Sequence, residues 1–179
     1  MKSEPVPEFT LEDAMRMRAV GFNVLRLPVN WSGLEPTESG GFSTTYLDRI
    51  DRVLDLCRTA GLFVIVDFHQ DAYSKEVGED GAPLWAIAPA PTRLLQGPLR
   101  DLGERRASAQ VLNAFATFFG DAEPGPRLRT RFARVARAVA TRLASHPAVV
   151  GYELYNEPVT GDEELLRLHL EAARAVRDG

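Results

Sequence analysis

Thr59-Ala60-Gly61-Leu62-Phe63-Val64-Ile65-Val66-Asp67 joins the end of a helix to a short apolar run. Its glycine suits the left-handed residue at which many helices end, and the branched residues after it are typical of a buried strand. The same pattern occurs 40 residues earlier, in Ala19-Val20-Gly21-Phe22-Asn23-Val24-Leu25-Arg26-Leu27. A third strand is predicted in Ala148-Val149-Val150-Gly151-Tyr152-Glu153-Leu154-Tyr155.

A helix is predicted before each of these strands and after the last one. Two helix starts show the capping-box pattern, a threonine followed three residues later by an acidic residue: Thr10 with Asp13, and Thr45 with Asp48. We expect these helices to run through Val20 and Ala60. Four residues of the second helix recur at three- and four-residue spacing and predict one buried stripe: Leu47, Ile50, Leu54 and Cys57. Further helices are predicted at about residues 126–145 and 162–177.

The alternation of helices and strands predicts an α/β fold with parallel strands and right-handed crossovers. Residues 72–120 exceed the length of a crossover, and their glycine, proline and tryptophan content indicates an insertion at the carboxyl end of the second strand. Three strands with four helices cannot close an eight-stranded barrel, which typically takes ~250 residues. The chain is therefore either a smaller open sheet or part of a larger barrel. We favour a partial (β/α)8 TIM barrel, with residues 1–179 as a single incomplete domain.

Composition and charge exclude several classes of function. The chain has 179 residues, 45% of them hydrophobic, which is enough to bury one sizeable core. Its 21 basic and 25 acidic residues give a formal net charge of -4, so the sequence offers no footprint for nucleic acid and no basic face for anionic lipid. No apolar run approaches the ~20 residues of an integral membrane segment. Residues 1–8 show no signal-peptide core, and the compartment stays open because a secreted parent would carry that signal upstream.

Polar residues gather where the predicted strands end. Strand alternation gives two sets of side chains that each share a face: Asp67, His69 and Asp71 on the second strand, and Glu153, Tyr155 and Glu157 on the third. Parallel strands end at the same edge, so these faces are expected to surround a common centre. Arg26 ends the first strand at that centre. Because a buried charge needs a partner, we expect Arg26 to pair with Asp67 or Glu153.

The segment from Gly151 to Pro158 resembles the fourth-strand motif of glycoside hydrolase family 5, in which Asn156-Glu157-Pro158 ends the strand. Further segments match that family in the same order: Gly21 to Leu27, Trp31, Glu35-Pro36, Tyr46 to Arg49, and His146-Pro147. The endoglycoceramidase branch is similar at two further places: Asp67-Phe68-His69-Gln70-Asp71, and Gly81-Ala82-Pro83 with Trp85. The resemblance covers roughly residues 9–178 and implies strands two to four of the family barrel, without its first strand.

This resemblance implies a retaining glycoside hydrolase that cleaves O-glycosidic bonds of β-glycosides, with glycolipid as its substrate and no cofactor. Glu157 would protonate the leaving oxygen and then activate water. Asn156 would bond the sugar hydroxyl beside the anomeric carbon, His69 would shape the sugar pocket, and Arg26 would orient the nucleophile. The position of Asp71 would bind the non-reducing sugar. The acid role requires Glu157 to stay protonated near neutral pH, which burial and a neighbouring carboxylate would achieve.

The nucleophile of the family is a second carboxylate, a glutamate at the end of the seventh strand, and no position of this chain matches it. The two carboxylates of a retaining enzyme lie ~5–5.5 Å apart. Glu153 cannot replace the nucleophile, because it lies one pleat deeper than the strand end, about 6–7 Å along the strand. We therefore expect the chain alone to lack normal glycosidase turnover, although its parent would have it.

Alternatives stay open for the substrate and for the two tryptophans. The same machinery would serve an endoglucanase or a β-mannanase, and a half-barrel without a nucleophile would be a non-catalytic sugar-binding module. A lipid needs an apolar mouth, whereas a polysaccharide cleft needs a line of exposed aromatic residues. Four residues favour the apolar mouth: Leu84, Trp85, Ile87 and Leu94. Trp31 and Trp85 are candidate sugar-stacking residues, with plain packing as the alternative.

Three further interpretations concern single features. Glu157 is followed by proline, so it would also suit the start of the next helix. A metal site at His69, Asp71 and Glu157 is disfavoured, because one histidine with scattered acids lacks ligand spacing, and we expect no metal. An unfinished barrel exposes strand edges and apolar faces, so we expect self-association of the isolated chain.

Overall fold

The computed structural model describes residues 8–95 and 102–179. Helices and strands alternate along them. The helices are α1 (Leu11–Ala19), α2 (Trp31–Leu34), α3 (Thr44–Ala60), α4 (Leu102–Arg106), α5 (Ala109–Phe119), α6 (Gly125–Leu143) and α7 (Asp162–Arg177). The strands are β1 (Val24–Asn30), β2 (Phe63–His69) and β3 (Val149–Glu153), and a single 3-10 turn occupies Leu84–Ala86. The predicted α/β class and the order of the major elements are confirmed.

The three strands form one parallel sheet in the order β1-β2-β3. Arg26 of β1 pairs in register with Ile65, and Asp67 of β2 pairs with Glu153. The sheet therefore brings the carboxyl ends of all three strands to one edge, as predicted. The third strand is shorter than predicted, because it ends at Glu153 rather than at Tyr155.

The two predicted helix starts have different outcomes. At α1 the capping box of Thr10 and Asp13 is confirmed, with bonds in both directions. At α3 the box predicted at Thr45 and Asp48 is wrong. The cap is Ser43, whose hydroxyl accepts from the Tyr46 backbone N–H at 3.2 Å, while the Asp48 carboxylate pairs with Arg142 instead. The predicted end of α3 is confirmed, since Gly61 is left-handed at φ 75°.

The segment at residues 72–120 contributes to the core as well as to the surface. Its helix α5 buries Phe115, Phe118 and Phe119, and α6 lies beside it. Phe118 contacts the rings of Trp31, Phe132 and Tyr155 among others, at centroid distances of 6.4, 6.2 and 5.7 Å. Aromatic pairs of this kind stabilise the packing beyond what their buried area contributes. The expected insertion is therefore packed into the domain through α5.

The surface retains exposed apolar side chains on the strands. Val24 is 37% exposed, its register partner Phe63 is 49% exposed, and Val150 on β3 is 55% exposed. On the stripe of α3, Ile50, Leu54 and Cys57 are buried as predicted. None of the helices in the described ranges has the length and hydropathy needed to cross a membrane.

Candidate active site

Arg26 lies at the centre of the polar cluster. The prediction that it ends the first strand is wrong, because β1 continues to Asn30. The Nε and Nη2 of Arg26 donate to the two carboxylate oxygens of Glu153, each at 2.7 Å. The same Nη2 lies 3.0 Å from Asp67 Oδ2 and donates to Asn156 Oδ1 at 2.8 Å. Both predicted partners of Arg26 are confirmed. This fork-shaped contact fixes the guanidinium plane, which is the geometry that makes such pairs strong.

The two carboxylates beside Arg26 are shifted in opposite directions. The hydrogen bonds from Arg26 lower the pKa of Glu153 below its ordinary value. Burial raises the pKa of Asp67, although hydrogen bonding to His69 opposes that rise. Asp67 is fully buried, and its Oδ1 has no hydrogen-bond partner. Desolvation therefore dominates at Asp67, whereas ion pairing dominates at Glu153.

His69 stands at the end of β2 with its ring partly exposed. Nδ1 lies 2.7 Å from Asp67 Oδ2, and the side chain is 20% exposed. A carboxylate on one ring nitrogen orients the imidazole and leaves Nε2 available to another group. The structure therefore places His69 in the site, on the face predicted for it with Asp67.

Asp71 lies just beyond His69 and is bound to an arginine that the sequence pattern did not indicate. Arg106 of α4 donates through Nε and Nη2 to the two oxygens of Asp71, at 2.8 and 2.7 Å. The same Nη2 donates to Glu157 Oε2 at 3.0 Å. One guanidinium thus joins Asp71 to Glu157. Arg106 lies 35 positions from Asp71, a separation that gives no periodic signal in the sequence.

The chain turns sharply at Glu157 instead of continuing the strand. Glu157 is left-handed at φ 40°, and its side chain is 62% exposed. The burial predicted for Glu157 is not found, because its carboxylate faces Arg106 at the open side of the sheet. The face predicted for Tyr155 is also wrong. Since β3 ends at Glu153, alternation stops there, and Tyr155 packs among Phe118, Phe119 and Phe132.

Gln70 joins the end of β2 to the loop after β3. Its Nε2 donates to the backbone carbonyls of Asn156 and Glu157, the second at 2.9 Å, and its Oε1 accepts from Tyr73 N at 2.9 Å. In return, Asn156 Nδ2 donates to the Gln70 carbonyl at 2.9 Å. Gln70 is 3% exposed. The sequence contains a signal for this role, because an amide side chain at a buried strand end needs several hydrogen-bond partners. No role was predicted for Gln70.

The two tryptophans belong mainly to the packing below the site. Trp31 is 5% exposed, and its Nε1 donates to Glu35 Oε2 at 3.0 Å. Trp85 stands edge-on to Trp31 at 5.3 Å and donates to the Glu35 carbonyl at 3.1 Å. The guanidinium of Arg131 lies 4.8 Å from the Trp85 ring. Of the two alternatives for Trp31, its burial favours packing over sugar stacking.

The apolar mouth predicted downstream of β2 is only partly exposed. Leu84 is 46% exposed and Leu94 is 41% exposed, whereas Ile87 is buried. Ile87 therefore contributes to the core. Within residues 8–95 and 102–179, no group of three histidine, cysteine or acidic side chains is arranged to hold a metal ion.

Three parallel strands, with Arg26, His69, Asn156 and Glu157 gathered toward their carboxyl ends, are typical of part of a TIM-barrel enzyme. The chain belongs to the Cellulase family (glycosyl hydrolase family 5), whose family model matches residues 6–178. It is 34% identical over 146 residues to Endoglycoceramidase I of Rhodococcus hoagii, covering 81% of this chain and 28% of that protein. It is 25% identical over 174 residues to Endoglycoceramidase of Cyanea nozakii, covering 86% of this chain and 34% of that protein.

Solved structures agree on the fold. Endo-glycoceramidase II from Rhodococcus sp. superposes with a TM-score of 0.84 at 31% identity, covering 99% of this chain and 43% of that chain. An endogalactoceramidase structure superposes with a TM-score of 0.82 at 30% identity, covering 98% of this chain and 43% of that chain. This chain thus spans less than half of the length of each of these relatives, and its three strands form a partial TIM barrel.

Proposed function

We propose that the protein to which this chain belongs is a retaining glycosidase that cleaves the β-glycosidic bond between a sugar and a lipid, with Glu157 as its acid/base. The observation that carries this proposal is the Asn156–Glu157 pair in the loop after β3, bound to Arg26 on one side and to Arg106 on the other. The family membership supports glycoside hydrolysis. The names of the relatives support a lipid aglycone, since they include endoglycoceramidases and an ergosteryl-beta-glucosidase.

Each residue of the cluster has a proposed role. Glu157 protonates the leaving oxygen and later deprotonates the attacking water, which an exposed carboxylate at a strand end can reach. Asn156 uses one Nδ2 hydrogen on the Gln70 carbonyl, which leaves the other for a sugar hydroxyl. His69 presents Nε2 to the sugar while Asp67 holds its Nδ1. Arg26, fixed by Glu153, lies where it would orient a second carboxylate.

Asp71 is proposed to bind the non-reducing sugar together with Arg106. Two donors of Arg106 already occupy the Asp71 carboxylate. Each carboxylate oxygen accepts more than one hydrogen bond, so a sugar hydroxyl can still donate to Asp71. The two remaining N–H groups on Nη1 of Arg106 are suitable donors to a hydroxyl of the same sugar.

The isolated chain is proposed to have no normal turnover. A retaining mechanism needs a second carboxylate ~5–5.5 Å from the acid/base to form the covalent intermediate. Glu153 is unsuited to that role, because both of its oxygens accept from Arg26. Asp71 is unsuited as well, because both of its oxygens are bound to Arg106. The nucleophile is therefore proposed to come from a part of the protein outside this chain.

The experiment measures the hydrolytic activity of the complete gene product on three substrates: a fluorescent glycosylceramide, a steryl glucoside and a soluble cellulose. We expect release of the lipid-linked sugar and no cleavage of cellulose. Glu157→Gln should lower the rate by roughly 100- to 10,000-fold, as expected for loss of a general acid/base. Glu163→Gln is the matched control, since Glu163 is exposed in the first turn of α7. Cleavage of cellulose alone would replace the lipid assignment, and full activity of Glu157→Gln would remove the acid/base assignment.

A further inference from the structure

We propose that Gln70 is a positioning residue that holds the acid/base Glu157 in its working conformation, an inference that rests on the proposed glycosidase function. Gln70 follows β2, whereas Glu157 follows β3, and the Gln70 side chain bridges the two loops. Its amide accounts for three hydrogen bonds to loop backbone: Nε2 to the carbonyls of Asn156 and Glu157, and Oε1 from Tyr73 N. The bridge is nearly dry, since Gln70 is 3% exposed.

The backbone on both sides of this amide is in an unfavourable conformation. Glu157 has φ 40°, and Ala72 and Tyr73 have φ 53° and 70°. These are the three non-glycine residues with positive φ in the described part of the chain. Such conformations are unfavourable for residues with a side chain and persist only where neighbouring groups hold them. Gln70 bonds directly to the backbone of two of them, the Glu157 carbonyl and the Tyr73 N–H.

The direction of the Glu157 side chain depends on this backbone conformation. If residue 157 returned to the β or right-handed α region, its Cα–Cβ bond would change direction relative to Arg106, which its carboxylate now meets at 3.0 Å. Gln70 is the group that prevents this change, because it binds the carbonyls on both sides of the Glu157 N–Cα unit. Gln70 does not itself face the sugar, since both ends of its amide are used by backbone.

Two substitutions at Gln70 distinguish a role in positioning Glu157 from a role in folding alone. Gln70→Glu keeps the size and replaces two N–H donors with an oxygen that faces carbonyl oxygens. Gln70→Met removes the hydrogen bonds without adding charge. Gln110→Glu is the matched control, because Gln110 also bonds loop backbone, with Nε2 to the Arg93 carbonyl at 2.9 Å and Oε1 from Thr92 N at 2.8 Å.

The kinetic experiment uses the complete gene product and an aryl β-glucoside. We expect both Gln70 variants to lose about 100-fold in kcat, the loss that a displacement of ~1 Å causes at a catalytic group, with little change in KM. Gln70→Glu should recover part of its kcat, relative to the parent, as the pH falls, because a protonated carboxyl can donate to one carbonyl. Gln110→Glu should match the parent. A parent-like kcat in both folded Gln70 variants, or a loss in KM alone, would overturn the proposal.

A structural measurement tests the same proposal without relying on activity. In a crystal structure of the Gln70→Met variant of the complete protein, we expect residue 157 to leave positive φ and its carboxylate to lose contact with Arg106. An unchanged Glu157 conformation would overturn the positioning role, even if the protein is an active glycosidase. A displaced Glu157 in a protein with no glycosidase activity would uphold the positioning role and reject the proposed function.

Discussion

At the level of single residues, the site is built from carboxylates that have different electrostatic surroundings. Glu153 is paired with Arg26, Asp67 is buried beside His69, and Glu157 is exposed beside Arg106. The chemistry proposed for Glu157 needs a carboxylate that can both give and take a proton. Its neighbours Glu153 and Asp67 are unsuited to that role, because both oxygens of Glu153 accept from Arg26 and Asp67 is closed off from solvent.

The first prediction concerns the dependence of stability on pH. Because Arg26 lowers the pKa of Glu153 from its ordinary value of 4.5, the pair contributes stability above that value and loses it as the pH falls through the lower folded-state pKa. Glu153→Gln removes this contribution. We expect urea unfolding at neutral pH to show a lower free energy of unfolding for Glu153→Gln than for the parent, with the difference shrinking below about pH 4. A difference that stays constant across the acid range would contradict the ion-pair assignment.

The sequence predicts residues of the site only where the order of the strands determines their positions. Arg26, His69 and Glu157 could be predicted to lie near one another because each is on, or just beyond, a recognisable strand. The contacts of Arg106 and Gln70 could not, since they depend on how the segment after β2 folds back over the sheet. The exposure of Glu157 and the inward position of Tyr155 were missed for a related reason, because β3 ends at Glu153 and alternation predicts nothing beyond a strand.

At the level of helices and strands, the helix cap predicted for α3 was two residues away from the cap in the structure. Ser43, Thr45 and Asp48 all suit a helix start, and the structure uses Ser43. We predict that Ser43→Ala lowers the free energy of unfolding by about 1 kcal/mol, because the Tyr46 N–H loses its cap. Thr45→Ala should have little effect, since Thr45 is exposed inside the first turn. Equal losses in urea unfolding would reject Ser43 as the cap.

Helix α5 was predicted only as part of an insertion, although its pattern contains a helical signal. Val111, Ala114, Phe115 and Phe118 recur at three- and four-residue spacing, and all four are buried. That pattern was hidden by the glycine- and proline-rich sequence before it. The packing of α5 makes this part of the insertion a component of the core rather than a removable loop.

A pair of substitutions on α5 tests that conclusion. Phe118 is fully buried and meets five other aromatic rings, so Phe118→Ala should cost about 3–5 kcal/mol of unfolding free energy. Leu112→Ala on the same helix should cost much less, because Leu112 is 44% exposed. Thermal unfolding of both variants provides the measurement. A small effect of Phe118→Ala would show that α5 is not part of the core.

For the whole molecule, the exposed strand residues predict how the isolated chain behaves. Val24 and Phe63 are register partners with exposed apolar side chains, and Val150 is exposed on β3. Exposed apolar side chains on a sheet favour association. We predict concentration-dependent self-association of the chain in sedimentation velocity, reduced by Phe63→Lys. A chain that stays monomeric at high concentration would contradict this prediction.

The central claim is that Glu157 is the acid/base of a retaining glycosidase, and azide rescue tests it most directly. Dinitrophenyl β-glucoside forms the covalent intermediate without acid assistance, and Glu157→Ala leaves space for a small anion that needs no base. In the complete gene product, we predict that azide accelerates turnover of this variant and yields β-glucosyl azide with retained configuration. No acceleration by azide, or an α-glucosyl azide product, would contradict the assignment of Glu157.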